Sequence, residues 1–171
     1  MKRMAMLAAA ATLGIGASAM ADGQFVAGID ISGWGDLSKA EVDLGGGIKV
    51  QVTGIGWDMT LNAIDGAWFS DATFYFGAPD QDPQVFLTPG SGVNESGEMF
   101  FTSNGILKLG DFGIPPIQLD GGILQLEMST LGWNVTVKEG GVIWVQYNII
   151  PAPGALALVG LAGLVSRRRR A

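Results

Sequence analysis

The sequence predicts an all-β fold: an antiparallel β-sandwich of jelly-roll-like type, with an N-terminal signal helix and a C-terminal transmembrane helix. Three observations predict it. Apolar residues in the middle of the chain recur with period two, the spacing of a strand with one buried face. Glycine, 27 of 171 residues, punctuates these runs at short intervals. Between the two ends no stretch keeps a helical period; only residues 37–44, from Leu37 to Leu44, are compatible with a turn of helix.

The first segment, residues 1–21, has the layout of a secretory signal peptide. Lys2 and Arg3 give a positive start, residues 4–16 are small and apolar, and Ala19-Met20-Ala21 is an A-x-A cleavage pattern. Cleavage after Ala21 by a signal peptidase would leave Asp22 first in the mature chain. The apolar run is shorter than the roughly 20 residues a membrane-spanning helix needs.

Residues 22–150 are expected to form one β-sandwich domain. A chain of that size buries about two thirds of its unfolded surface. It contains no cysteine, so an ordinary apolar core must hold it. Eight to ten short strands in serial, hairpin-rich order are expected. Asp65-Gly66 suits a two-residue turn that sets Trp57 opposite Phe74 and Ala63 opposite Trp68. Asn104-Gly105 would join residues 99–103 to residues 106–109. Gly121-Gly122 would join residues 117–119 to residues 124–128, with Leu119 facing Leu124 and Ile117 facing Leu126. A loop of Glu139, Gly140 and Gly141 would set Trp133 against Tyr147, Val135 against Val145 and Val137 against Ile143. Pro115-Pro116 marks a strand start or an edge, because proline cannot donate to a ladder.

The last segment, residues 151–171, reads as an address label. Pro151, Ala152, Pro153 and Gly154 break regular structure. Residues 154–165 are an apolar helix, and Arg167, Arg168, Arg169 and Arg170 form a basic stop. The helix is short for about 30 Å of hydrocarbon, but arginine stems snorkel and extend its reach. Arginines after an apolar run stay cytoplasmic, so the body lies outside.

Charge supports this division. All sixteen acidic residues fall between Asp22 and Glu139, against four lysines in residues 22–150, a net −12 for the body. Such a surface repels nucleic acid, which excludes that class of partner.

The chemistry open to the body is narrow. With no histidine or cysteine, Ser-His-Asp and Cys-His catalysis is impossible, and zinc and copper lose their usual ligands. Gly45-Gly46-Gly47 lacks the lysine-serine of a phosphate loop. The carboxylates Asp58, Glu95, Glu98 and Glu127 are candidates for a glycosidase pair, with solvated surface acids as the simpler alternative. Asp80 and Asp82, in a loop bounded by Pro79 and Pro83, are the candidate calcium ligands; no other cofactor is expected. Trp34, flanked by Gly33 and Gly35, is the candidate for stacking on a sugar ring.

The tail resembles the PEP-CTERM class of exported bacterial proteins. Pro151 and Pro153 match the two prolines of its signature, and Arg167 to Arg170 match its arginine cluster; Ala152 stands where the signature has glutamate, as in planctomycete-type members. The resemblance covers residues 151–171. It implies recognition by an exosortase-like processing enzyme, removal of the tail, and an association with exopolysaccharide at the cell surface. The expectation is therefore a non-catalytic cell-surface or extracellular-matrix protein. It begins as a membrane-anchored precursor with a cytoplasmic C-terminus and ends in the cell envelope or outside it. A carbohydrate- or calcium-binding surface module and a surface glycosidase are the alternatives.

Overall fold

A computed structural model describes residues 18–19, 24–132 and 134–150. Twelve strands form two sheets, and every described strand pair is antiparallel. The strands are β1 (Ser18–Ala19), β2 (Gln24–Asp30), β3 (Ser38–Asp43), β4 (Val50–Ile64), β5 (Thr73–Gly77), β6 (Val85–Leu87), β7 (Gly97–Thr102), β8 (Leu107–Lys108), β9 (Ile117–Leu119), β10 (Ile123–Ser129), β11 (Asn134–Val137) and β12 (Val142–Ile149). Two 3₁₀ turns, Phe69–Asp71 and Leu109–Phe112, complete the described elements. Among the described residues no helix is long and apolar enough to cross a membrane.

The larger sheet is built on β4. Its fifteen residues are paired along both edges. On one edge β11 pairs with residues 61–64 and β12 with residues 50–58, end to end. On the other, β7, β8 and β9 follow one another from Ala63 down to Val50. Beyond β12 lie β2 and then β1. The smaller sheet has the order β3-β10-β5-β6. Along the described chain the strands change sheet at six of eleven connections: β1 and β2 large, β3 small, β4 large, β5 and β6 small, β7 to β9 large, β10 small, β11 and β12 large.

The alternation of side chains explains why two sheets form. Leu124, Leu126 and Met128 of β10 are buried, as are Phe74 and Phe76 of β5. They meet Ile55, Met59 and Leu61 of β4, Ile143 and Val145 of β12, and Ile117 and Leu119 of β9 in one core. Each such side chain contributes roughly 1.5–3 kcal/mol by leaving water. Within β4 the buried parity switches. Val50 and Val52 point in, then Ile55, Met59, Leu61 and Ala63, because a bulge opposite Gln146 and Tyr147 inserts one residue.

The expected faces are found, but most of the expected pairings are not. Asp65 and Gly66 do take the paired left-handed φ of a two-residue turn (56° and 87°), and Ala67 N donates to Ile64 O. The chain then leaves the sheet. Trp57 is in register with Ile143 and Ala63 with Val135, while Phe74 lies in the opposite layer. At Gly121-Gly122 the chain crosses from β9 in one sheet to β10 in the other, so Leu119 and Leu124 meet through the core rather than across a hairpin. Asn104-Gly105 does not reverse the chain; β7 and β8 run in the same direction along one edge of β4. Residues 139–141 likewise do not turn back, because Val135 and Val137 pair with Ala63 and Leu61 and β12 continues along the same edge. The pairing expected for Trp133 lies outside the described residues. Residues 38–43 are strand β3, not a helical turn. The prolines at 115 and 116 do precede a strand, β9, that pairs on one side only.

The two non-reversing loops have the same form. From Thr102↔Asp58 to Leu107↔Ile55, the outer strand uses two more residues than β4. From Val137↔Leu61 to Val142↔Asp58, the other edge does the same. At the first loop Ser103 repairs the ladder: Trp57 N donates to its Oγ at 2.7 Å and its own N donates to Trp57 O at 2.9 Å. The loop then folds over Gly56, where a Cβ would collide with Gly105 O and stand 3.0 Å from Ser103 Oγ.

Gly56→Ala should therefore cost about 1–3 kcal/mol in urea unfolding. Gly110→Ala, where an added Cβ meets nothing within 4 Å, should stay within about 0.5 kcal/mol.

Candidate functional site

The best-connected polar group on the outer face of the large sheet is Asp58, in the middle of β4. Alternation turns its side chain away from the core, between β12 on one side and β7 on the other. Trp144 Nε1 donates to Asp58 Oδ2 at 3.0 Å, and Thr102 Oγ1 donates to Asp58 Oδ1 at 2.6 Å. Thr102 Oγ1 in turn accepts from Asn104 N at 2.9 Å. One carboxylate thus ties three neighbouring strands and the loop after β7. Trp144 spans its own strand, which lies between β2 and β4. Its ring covers Gly28, where a Cβ would stand 2.7 Å from the indole. Alongside it, Gln146 is only 6% exposed and donates from Nε2 to Gln24 Oε1 at 2.8 Å.

This arrangement is a link, not an acid–base pair. Both oxygens of Asp58 are occupied by neutral donors within the fold. The other candidate acids are elsewhere. Glu98 is on the same face but is paired with Lys138 Nζ at 2.8 Å. Glu95 is exposed in the loop before β7, and its backbone carbonyl accepts from Phe69 N. Glu127 is on β10, in the other sheet, opposite Lys39 and Tyr75. The fold does not assemble these four carboxylates around one point.

The other predicted positions are placed as follows. Trp34 is half-buried and packed against the core; Val137 N donates to its carbonyl at 2.7 Å. Asp80 and Asp82 are exposed in the tip that joins β5 to β6, a true hairpin with Phe74 opposite Leu87. Among the described residues no three acidic side chains come together in a way that could hold a metal ion. Ala19 is in β1, opposite Phe25. Ala21, the motif Pro151 to Gly154 and Arg167 to Arg170 lie outside the described residues.

Three further features complete the chemistry. A narrow apolar crevice between the sheets is lined by Trp57, Phe74, Phe76, Leu87 and Pro89 among others, and it admits no water-sized molecule. Tyr147 stacks on Phe25 with ring centroids 5.5 Å apart, and burial pushes its hydroxyl pKa up. Asp30 is held below the ordinary carboxylate range by hydrogen bonds from the Ser32 side chain and backbone, with Ser32 N at 2.8 Å from Oδ1.

Sequence reasoning missed the link between Asp58 and Trp144 because 86 residues separate them. A signal did exist. Gly28 is an isolated glycine inside a strand-like run, the mark of something approaching a backbone closely.

No protein-family model matches the chain, and no curated protein matches it. Among solved structures it is similar to capsid chains of infectious bursal disease virus. The VP2 subviral particle aligns at 18% identity and a TM-score of 0.29, the Gx strain at 16% and 0.29, and the Gt strain at 15% and 0.28. Each alignment covers 77% of this chain and 38% of the viral one. These are loose superpositions on part of a much longer chain, and they bear on neither activity nor assembly.

Two outcomes test the surface chemistry. Asp58→Ala should lower stability by about 1–2 kcal/mol in urea unfolding followed by tryptophan fluorescence. Asp30 has a depressed pKa in the folded state. Its contribution to stability is therefore present above the unfolded value of about 3.9 and is lost as pH falls through the folded value. Ser32→Ala should move the Asp30 carboxyl resonance titration upward and flatten that acid limb.

Proposed function

We propose that this is an exported, non-catalytic cell-surface or extracellular-matrix protein, delivered and processed through its two end segments. In this account the body is a jelly roll, a finer description than two antiparallel sheets, which the sheet-to-sheet alternation of its strands supports. Signal peptidase removes residues 1–21. The apolar run 154–165 halts in the membrane, and the arginines hold its end inside. An exosortase-like enzyme then cuts near Pro151 to Gly154.

The observation that carries this reading is where the body closes. β12 ends at Ile149, and Ile150 N donates to Lys49 O at 2.9 Å. The next residue is Pro151. Strand β12 thus ends at Ile149, two residues before the tail begins at Pro151, so an enzyme could cut the tail without disturbing that strand. The dispersal of the candidate acids favours a non-catalytic body over a glycosidase. An exposed residue in place of Trp34 would be needed for the sugar-binding alternative, because Trp34 is packed against the core.

The test is the intact mass of the protein recovered from the surface of its host. The expected mass lacks residues 1–21 and the arginines. Replacing Arg167, Arg168, Arg169 and Arg170 with glutamine should reduce the processed form several-fold. A surface form that keeps its arginines, or a body recovered from the cytosol, would overturn the proposal.

A further inference from the structure

Open sheet edges invite other chains, and natural sheets protect them with lysine, proline, bulges or brevity. Most edges here are protected. β3 exposes Lys39, Glu41 and Asp43. β6 has three residues, and β9 has three and follows two prolines. β2 buries Ala27 and Ile29 and is partly covered by β1. β7 is the exception. It runs for six residues, Gly-Glu-Met-Phe-Phe-Thr, with no lysine, no proline and no bulge. It is paired with β4 alone among the described residues, and only Phe101 of the six is not exposed. Phe100 is 60% exposed and Met99 36%.

We propose that β7 pairs antiparallel with β7 of a second copy of this chain, joining two large sheets across a two-fold axis. The ladder fixes the register. Ser103 N donates to Trp57 O, so by alternation Phe101 and Met99 spend their amides on β4, and Glu98, Phe100 and Thr102 aim theirs at the open edge. The symmetric pairing that uses those outward groups sets Phe100 against its own copy. Glu98 then lies opposite Thr102 and Met99 opposite Phe101. Aromatic meets aromatic, and no like charges face each other. The charge argument favours a second copy over an arbitrary strand. The body is strongly acidic, yet on this edge the single carboxylate, Glu98, is already neutralised by Lys138. Two −12 bodies can therefore approach along this edge with little local repulsion. Two-fold pairing of one surface with itself is also the commonest closed assembly.

The chain has no cysteine, which makes the test clean. Directly opposed hydrogen-bonded residues have Cα atoms about 5.5 Å apart, within disulfide range. In the full chain, held in mild detergent, Phe100→Cys should give a disulfide-linked dimer several-fold faster than Glu98→Cys alone or the exposed control Phe86→Cys. Mixed Glu98→Cys and Thr102→Cys chains should cross-link to each other. Phe100→Lys should shift the unmodified dimer to monomer in sedimentation equilibrium, while its Tm matches wild type at concentrations too low for the dimer to form. Equal cross-linking rates at positions 86, 98 and 100 would overturn the pairing. So would a wild-type chain that sediments as a monomer at every concentration.

Discussion

The whole sandwich depends on β4 being paired on both edges along most of its length. Fifteen residues of continuous strand carry β11 and β12 on one side and β7, β8 and β9 on the other. A strand that long would normally twist out of register with shorter neighbours. Here each flank makes up the difference with a two-residue insertion near Asp58 and a break between strand segments. Gly56 lets the first insertion fold down onto the strand, and Ser103 restores the hydrogen bonds it interrupts. Asp58, next along, closes the gap on the outer face by tying Trp144 and Thr102 to the centre. The structural core and the best-connected polar cluster are thus two consequences of one constraint.

Face and partner were unequally legible in the sequence. Period two shows which side of each strand is apolar, and Leu124, Leu126, Met128, Val135, Val137, Ile143 and Val145 are all buried as that period requires. It cannot show whether two apolar faces meet across a hairpin or across a core. Gly121-Gly122 illustrates the degeneracy. Leu119 and Leu124 reach the same apolar interior whether the chain reverses within one sheet or arches to the other. Asn104-Gly105 and Gly140 show a second one. Left-handed residues that make tight hairpins also make insertions in a strand that keeps its direction. The β5–β6 hairpin, by contrast, turns through a longer proline-bounded loop that carried no short-turn signature at all.

The chemistry followed the same divide. Absence of histidine and cysteine bounds what the body can catalyse. The sequence could not tell that Trp34 is packed inward, or that Asp58 spends both oxygens on its neighbours, because each fact depends on a strand far away in the chain. What remains for the exterior is an acidic, well-tied scaffold whose least protected edge among the described residues is β7.

The central claim, that β4 is the spine on which every other large-sheet strand depends, is most directly tested by native-state amide hydrogen exchange. The account predicts that the hydrogen-bonded amides of Val50–Ile64 exchange only through global unfolding, while the amides of the edge strands β3 and β6 exchange by local opening with a far lower free energy. If the β4 amides instead exchanged as readily as those of β3 or β6, the long strand would not be the element that holds the sandwich together.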